Sequence, residues 1–533
     1  MHPHDAQISV VVIGYDDATH VTDAVRSALA QGGVVREVIA VDDCSTDGSP
    51  ELLDALAAED PRVRVVRRTV NSGGCGTPRN DGIDAATAPY LMFLDSDDIL
   101  PPGAADALLM AAVAHGTKLS AGLCVRRELP SGRETPWEPE LYERHAVVPG
   151  PSQRPRLVHD TLCVNKLYRT DFLREHAIRF PEGRFPYEDF VFGARVLAAG
   201  PSMALVPETV YVWHVRRSAR RLSISLDRAG IDNWKARMEA NRQAHEILLS
   251  AGEKRLARSA RTAFLDRGLR MYARELSLRS PDYREEWWTL TRAYLSDFDA
   301  ADFAQASVPG RVVAQVVLAS GQPRDLHRLR ELAARPARLT PPYASTADGV
   351  PVWSADLPQV RLEHLLHRPV HHLPVAVDAE LRPRARASRL RLRLHELYGR
   401  VGNARPDRVD VEFVPREDGT RVGLTRTARL ARDAGSGSWT AETALDLGAL
   451  GAGTWDLRLT LRFDDGTSCE TTAHALTGPG LLRRRAVASL RHGVLLVQPY
   501  ATHSGTLALR MASGLRGATT IAARRLRRLV HWK

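Results

Sequence analysis

The chain has 533 residues, of which 44% are hydrophobic and 26% are charged, and Lys and Arg together outnumber Asp and Glu by ten. This composition is typical of a globular protein and excludes a chain that is disordered or of low complexity throughout. The length predicts about three domains.

The excess of positive charge lies at the C-terminal end. No acidic residue follows Glu470, whereas eleven of the 73 basic residues do, so the first 470 residues are close to neutral. Few aromatic residues accompany these arginines and no nucleic-acid-binding motif is present, so we expect no nucleic acid partner. Residues 519–533 predict a basic amphipathic helix, which either contacts an anionic membrane or polymer or packs on the protein itself.

The sequence favours a cytoplasmic protein, with peripheral contact at the inner face of the cell membrane through the basic tail as a further hypothesis. The N-terminus lacks the basic start and long apolar core of a signal peptide, and no run approaches the roughly 20 apolar residues that span a bilayer. The cysteines are widely spaced and contain no C-x-x-C pair, which argues against a disulfide framework or a zinc site. They are Cys44, Cys75, Cys124, Cys163 and Cys469.

Short runs rich in Val and Ile alternate with helical patterns in the first hundred residues. Such runs are apolar on both faces and predict a mostly parallel sheet covered by helices, as in Rossmann-like α/β domains. The predicted strands are 8–13, 38–41, 63–66 and 90–94, and the predicted crossover helices are 20–31 and 49–58.

Polar residues collect where these strands end, namely Tyr15, Asp42, Asp43, Asp95 and Asp97. Ligands of open α/β sheets bind beyond the carboxyl ends of the strands. We therefore expect these side chains to converge on one pocket.

The rest of the chain divides by pattern. With the first domain at residues 1–227, residues 228–336 predict a helical connector, because their apolar spacing is helical. A segment rich in Pro, Gly and Ser follows, and period-two alternation then predicts an antiparallel β-sandwich over 337–480, before a basic tail at 481–533. The sandwich is a carbohydrate-binding module, a surface for homo-oligomer formation or a spacer. Its tryptophans Trp353, Trp439 and Trp455 form either a sugar platform or part of the core.

Three motifs follow one another in the first domain: VDDCSTDGS at 41–49, NSGGCGTPRN at 71–80 and YLMFLDSDD at 90–98. Their order and spacing resemble the family-two inverting glycosyltransferases with the GT-A fold, over residues 7–225. The resemblance implies a nucleotide-sugar donor and a divalent metal, Mn²⁺ or Mg²⁺.

The resemblance also implies roles for single residues. Tyr15 matches the residue beside the nucleotide base, Asp43 the carboxylate that accepts from the uracil imide, with Asp42 as its neighbour, and Arg79 the basic residue near the base and diphosphate. The alternative for these residues is turn formation or, for Arg79, a surface ion pair.

Metal and phosphate contacts are implied further along the chain. Asp95 and Asp97 match the D-x-D pair that binds the metal, and His214 is either a third ligand, a diphosphate contact or a structural histidine. Arg217 and Ser218 would lie near the departing phosphates.

The acidic pair Glu188–Asp189 begins a helical pattern and resembles the catalytic ED motif of the same family, in which the Asp deprotonates the acceptor hydroxyl. The positive end of the helix dipole favours the ionised form of such a base. The alternative is ordinary capping of a first helical turn.

These features predict a metal-dependent transfer of a sugar from a donor such as UDP-N-acetylglucosamine to a hydroxyl of a cell-envelope polymer. The layout resembles the poly(ribitol phosphate) glycosyltransferases of wall teichoic acid, and a polyanionic acceptor suits a basic surface. The first alternative is a capsule or exopolysaccharide glycosyltransferase with a lipid-linked acceptor. A sugar-phosphate nucleotidyltransferase is less favoured, since the first strand is not followed by a glycine-rich loop with Arg and Lys.

Overall fold

The computed structural model describes residues 6–216, 228–384, 387–417, 421–478, 481–489 and 491–513. The chain forms two compact units, of which the first comprises 1–264 and 298–306 and the second 265–297 and 307–533. The predicted connector is thus divided between the two units. Arg217, Ser218 and the predicted tail helix lie outside the described residues.

The first unit contains a mixed sheet with helices. Its strands are β1 (Ile8–Gly14), β2 (Val35–Asp42), β3 (Val63–Arg67), β4 (Tyr90–Asp95), β5 (Leu119–Glu128), β6 (Arg133–Trp137), β7 (Ala146–Val148), β8 (Lys166–Arg169) and β9 (Met203–Val215). The α-helices that the structure describes are α1 (Val21–Leu29), α2 (Ser49–Glu59), α3 (Gly76–Ala85), α4 (Ala104–His115), α5 (Thr170–Glu175), α6 (Glu188–Ala198), α7 (Asp232–Ser250), α8 (Lys254–Ala263), α9 (Arg270–Leu276), α10 (Pro281–Leu295), α11 (Ala300–Gln305), α12 (Val308–Ala319), α13 (Leu326–Ala333) and α14 (Arg400–Asn403).

The sheet confirms the predicted parallel arrangement for the first four strands. The strand order is β3-β2-β1-β4-β8-β5-β9-β7, with β6 on β5, and β1 pairs in parallel with both β2 and β4. The register places Asp42 beside Gly14 and Asp95 beside Ile13. The carboxyl ends of the three central strands therefore meet at one edge, where the motifs were expected to converge.

The core of the first unit extends into the predicted connector. Side chains from α7 and α8, among them Leu248, Leu256 and Ala260, belong to the same buried cluster as the strands β1, β2 and β4. The first two connector helices are therefore part of this unit. Burial of their apolar faces supplies a driving force of about 25 cal/mol per Å² for this packing.

The second unit carries the predicted antiparallel sheets. Its strands are β10 (Ala344–Ser345), β11 (Pro351–Ser354), β12 (Leu357–Arg361), β13 (Val377–Arg382), β14 (Ser388–Leu394), β15 (Pro406–Pro415), β16 (Leu424–Arg429), β17 (Ala431–Arg432), β18 (Trp439–Leu445), β19 (Gly453–Phe463), β20 (Ser468–Thr471), β21 (Ala473–Ala475), β22 (Arg485–Ser489), β23 (Gly493–Ala501) and β24 (Leu507–Ser513). Among the described residues they form sheets of three, five and seven strands, antiparallel apart from the β13–β21 pair.

Alternation in the sequence corresponds to alternation in burial. In β14 every second side chain is buried, and β19 behaves in the same way from Trp455 to Phe463. Trp353 and Trp455 are buried, as core tryptophans would be, and Trp439 is half-buried. In the part of the chain that the structure describes, no helix is long and apolar enough to cross a membrane.

A buried ion pair stabilises the segment that leads into β8. Asp160 accepts hydrogen bonds from Lys166 at 2.7 Å and from Asn165 at 2.9 Å, and also from the hydroxyl of Tyr142. Burial raises the pKa of Asp160, but Lys166 and these hydrogen bonds outweigh that effect and hold the pKa below its ordinary value. The ionised carboxylate is therefore the form that the fold requires.

Replacing Asp160 with Asn is expected to lower the free energy of unfolding by about 3 kcal/mol at pH 7, because it leaves the Lys166 ammonium without its counter-ion. Since the folded pKa of Asp160 is lowered, its contribution is complete above the ordinary carboxyl pKa and is lost as the pH falls through the folded pKa. Urea unfolding of wild type and variant from pH 7 down to about pH 3 should show the two curves converge only below about pH 4.

The matched control is Asp54→Asn, which breaks an exposed pair with Arg67. It should change stability little, as exposed ion pairs usually do. An equal effect of the two substitutions would contradict the importance of the buried pair.

Candidate active site

Asp42 is the last residue of β2 and Asp43 follows it directly, and the two carboxylates differ in their hydrogen-bond partners. The carboxylate of Asp43 accepts hydrogen bonds from the backbone N–H of Ser72 at 3.1 Å, the Ser72 hydroxyl at 2.8 Å and Asn71 at 3.1 Å. Burial raises the pKa of Asp43, while the bonds from Ser72 and the charge of Arg68 act in the opposite direction. By contrast, Oδ1 of Asp42 is buried without a hydrogen-bond partner among the described residues. Asp42 therefore has acceptor capacity that the protein itself leaves unused.

The loop after β1 is joined to the loop after β2. The carboxylate of Asp16 accepts from the backbone N–H of Thr46 at 2.7 Å, and the hydroxyl of Ser49 accepts from the backbone N–H of Asp17 at 3.0 Å. Tyr15 lies half-buried at the start of this loop. The two loops hold one conformation at the edge of the sheet.

Arg79, on α3, lies at the centre of the site. Its side chain is only 3% exposed, and one terminal nitrogen donates to Glu188 at 2.6 Å and to Asp189 at 3.0 Å. The other donates to Asp95 at 2.7 Å, and the guanidinium lies 5.3 Å from the ring centre of Phe180. Arg79 thus joins the end of β4 to the start of α6, across more than 90 residues of sequence. Its predicted contact with a nucleotide stays a prediction.

Two glycines let the α3 segment approach the chain before α6. A Cβ on Gly76 would lie 2.1 Å from the carbonyl oxygen of Pro181, and one on Gly74 would lie 2.5 Å from that of Gly183. No side chain larger than hydrogen fits at these distances. The glycines of the second motif therefore bring Arg79 within reach of the acidic pair.

The acidic pair begins α6 as expected. Glu188 and Asp189 are its first two residues, and Asp189 accepts with its second oxygen from the backbone N–H of Cys163 at 3.4 Å. Burial and the adjacent Asp189 raise the pKa of Glu188 to about 7, against the opposing charge of Arg79. Burial also raises the pKa of Asp189, again opposed by Arg79. Perturbation of this kind in a cleft is typical of groups that move protons.

The DSDD segment is fastened to the last strand. Asp98 is buried and accepts hydrogen bonds from the hydroxyl of Tyr211 at 2.7 Å and the backbone N–H of His214 at 2.7 Å. Arg216 donates to the carbonyl oxygen of Asp97 at 2.8 Å and lies 3.3 Å from its carboxylate. Burial and the nearby Asp95 raise the pKa of Asp97 to about 6.

Two groups lie near Nδ1 of His214. The carbonyl oxygen of Asp97, which only accepts, is 3.1 Å away, and a guanidinium nitrogen of Arg216, which only donates, is 3.5 Å away. The shorter contact favours the tautomer in which Nδ1 carries the proton. Burial lowers the pKa of His214, which favours the neutral ring. The lone pair of Nε2 is then the one that a metal would use. Among the described residues no group of three or more His, Cys, Asp and Glu side chains is assembled as a complete metal site.

Residues 9–177 match the model of the glycosyl transferase family 2. The chain is 31% identical over 234 residues to the succinoglycan biosynthesis protein ExoO of Rhizobium meliloti. It is 28% identical over 226 residues to a poly(ribitol-phosphate) beta-glucosyltransferase of Bacillus spizizenii. Each match covers 41% of this chain, and the chain spans 64% of the first relative and 34% of the second.

Similarity to solved structures extends further along the chain. The crystal structure of Staphylococcus aureus TarS matches with a TM-score of 0.55 and 19% identity, over 95% of this chain and 85% of that chain. The structure of TarS residues 1–349 in complex with UDP-GlcNAc matches with a TM-score of 0.51 and 20% identity, over 65% of this chain and 96% of that chain. At these identities the likeness establishes the fold, a GT-A domain followed by helices and antiparallel sheets.

Sequence reasoning missed several residues that shape this site. Asp98 belongs to the third motif, but the sequence predicts no role for it. Tyr211 contributes its hydroxyl, which donates to Asp98, and Cys163 contributes its backbone N–H, which donates to Asp189. The acidic fourth position of DSDD was a usable signal for Asp98. A backbone donor leaves no signal in the sequence, because every residue except proline has one.

Replacing Arg79 with Lys should separate the effect of charge from that of geometry. A lysine is a point charge and cannot serve three carboxylates through two nitrogens, so we expect the free energy of unfolding to fall by about 2 kcal/mol. Urea unfolding at pH 7 measures the change. Arg26→Lys, in an exposed pair with Glu59, is the control and should have little effect. A fully stable Arg79→Lys variant would contradict the central role of the guanidinium.

Proposed function

We propose that the chain is an inverting glycosyltransferase that moves a sugar from a UDP-sugar, such as UDP-N-acetylglucosamine, to a hydroxyl of a cell-envelope polymer such as teichoic acid. The observation that carries this proposal is the buried contact of Arg79 with Asp95, Glu188 and Asp189 within a family-two domain. The contact brings Asp189 close to Asp95 at the end of β4, which supports Asp189 as the base beside the strand ends where a donor would bind.

In the proposed mechanism Asp189 removes the proton from the acceptor hydroxyl. Arg79 favours the ionised form and holds one oxygen, while the N–H of Cys163 holds the other, so the carboxylate is oriented before the acceptor arrives. The acceptor oxygen then attacks the anomeric carbon directly and the diphosphate leaves. A single displacement inverts the configuration and requires no covalent nucleophile. Glu188 accepts a hydrogen bond from the same Arg79 nitrogen as Asp189, so the two carboxylates share the positive charge of the guanidinium.

For the donor we propose the residues at the ends of β1 and β2. Asp43 would accept from the imide N–H of uracil, with Asp42 as its neighbour, and Tyr15, half-buried in the loop after β1, would lie beside the base. TarS was crystallised with UDP-GlcNAc, and the similarity of fold supports a UDP-sugar here. Arg217 and Ser218 keep their proposed phosphate contacts on sequence grounds.

A divalent cation fits the donor set at the end of β4. Asp97 and the Nε2 of His214 would hold Mn²⁺ or Mg²⁺, with Asp95 adjacent, and phosphate and water oxygens would complete the shell as these ions prefer. When bound, the ion would neutralise charge that develops on the leaving diphosphate.

Two acceptor classes have support. The identity to a poly(ribitol-phosphate) beta-glucosyltransferase favours an acceptor of the poly(ribitol phosphate) type. The identity to a succinoglycan biosynthesis protein favours the alternative, an exopolysaccharide glycosyltransferase with a lipid-linked acceptor. We further propose that the enzyme acts in the cytoplasm, because five free cysteines suit a reducing compartment. We also propose that the basic tail makes peripheral membrane contact. The C-terminal sheets would mediate self-association.

Asp189→Asn should lower transfer by at least about 100-fold, because the amide cannot accept the hydroxyl proton. Binding of UDP, measured by calorimetry, should stay close to wild type. The control is Asp106→Asn, which alters an exposed carboxylate in the first turn of α4 and should leave transfer intact. Full transfer by Asp189→Asn would exclude this residue as the base.

A product assay can separate the donors and acceptors. We expect hydrolysis of UDP-sugars in preference to GDP- and CDP-sugars, stimulated by Mn²⁺ and removed by a chelator. Transfer to purified ribitol phosphate polymer, with none to lipid-linked oligosaccharide, would support the first acceptor class. The reverse pattern would favour the second, and preference for another base would contradict the donor assignment.

A further inference from the structure

The residue before the acidic pair has an unusual backbone conformation. Tyr187 has φ of 69° and ψ of 29°, in the left-handed region that residues with a Cβ enter at a cost in energy. Glu188 and Asp189 follow it directly. Such a conformation persists where surrounding contacts determine it, and it occurs most often at functional sites.

Two residues of α7 hold the Tyr187 side chain. Its hydroxyl donates to Oδ1 of Asn233 at 2.8 Å, and the guanidinium of Arg237 lies 4.8 Å from its ring centre. Arg237 also lies 5.2 Å from the ring of Phe190, which is 5.4 Å from that of Tyr187. Asn233 and Arg237 are four residues apart and share one face of the helix. The first turn of α6 is therefore fastened to α7.

The α7 helix is itself firmly held. Trp234, next to Asn233, is fully buried and stacks on Phe264 at 5.5 Å between ring centres. At its other end Leu248 lies in the buried cluster that contains the strands of the sheet. Through their contacts with Tyr187, Asn233 and Arg237 therefore connect the start of α6 to the core of the first unit.

We propose that Tyr187, Asn233 and Arg237 form an anchor that positions the carboxylates of Glu188 and Asp189. The proposal rests on the proposed function. Arg79 orients the carboxylate groups from the side of the sheet, whereas the anchor sets the backbone from which they extend. Because the rate depends on the placement of the base, loss of the anchor lowers kcat. Donor binding, which uses the ends of other strands, is unaffected.

Tyr187→Phe and Asn233→Ala each remove the same hydrogen bond from opposite sides. We expect each to lower kcat for transfer by about tenfold, with the donor KM and the thermal midpoint unchanged. The effects of the two substitutions should not add in the double variant, because the hydrogen bond between Tyr187 and Asn233 can be lost only once. The control is Arg242→Gln on the same helix, whose partners Glu239 and Glu246 are on the surface; it should leave kcat unchanged.

Amide hydrogen exchange supplies a readout that does not depend on turnover. Residues 188–192 should exchange faster in both anchor variants than in wild type and the control. Unchanged kcat, or a fall in kcat matched by loss of the thermal midpoint, overturns the positioning role. A wild-type chain that transfers no sugar rejects the proposed function instead. In that case faster exchange sustains the anchor as a structural device, and unchanged exchange overturns it.

Discussion

The arrangement of the candidate site depends on one buried guanidinium. Arg79 lies between the carboxylate of Asp95 on the sheet and those of Glu188 and Asp189 on α6. Three carboxylates this close together would repel one another, and leaving the two more buried ones, Glu188 and Asp189, without a cation would cost several kcal/mol. The guanidinium is planar and always charged, so it satisfies all three with defined geometry. These ion pairs thus join the sheet to α6.

This constraint explains features that are otherwise unrelated. Gly74 and Gly76 are needed because the α3 segment must touch the chain before α6. Phe180 covers the guanidinium, which removes water and strengthens its ion pairs. The raised pKa values of the acidic pair follow from the same burial, with Arg79 limiting the rise. Burial that is sufficient to raise these pKa values also strengthens the interactions between the charges, so a small displacement of a charged group changes their energy strongly.

Much of the fold could be predicted because its signals are local. The sequence of β1 is rich in Val and Ile at consecutive positions, which indicates a strand covered on both faces. The sequence of β14 alternates strictly, which indicates a strand with one buried face. The positions of Asp42, Asp95 and Asp189 also followed from strand ends and a helix start. The partners of Arg79 did not, because a surface ion pair and a buried triple contact have the same sequence. The conformation of Tyr187 left no signal either, since tyrosine is not a residue that favours positive φ.

The predicted boundary at residue 227 illustrates the same limit. It was drawn where the pattern changes from mixed to helical, which records a change of secondary structure and carries no information about packing. The helices α7 and α8 bury Leu248 and Leu256 in the core that supports the site, and Asn233 reaches the residue before the acidic pair. A domain is defined by the core that its segments share. By that criterion the first unit includes these helices, and a boundary placed before them would divide the core against which α6 packs.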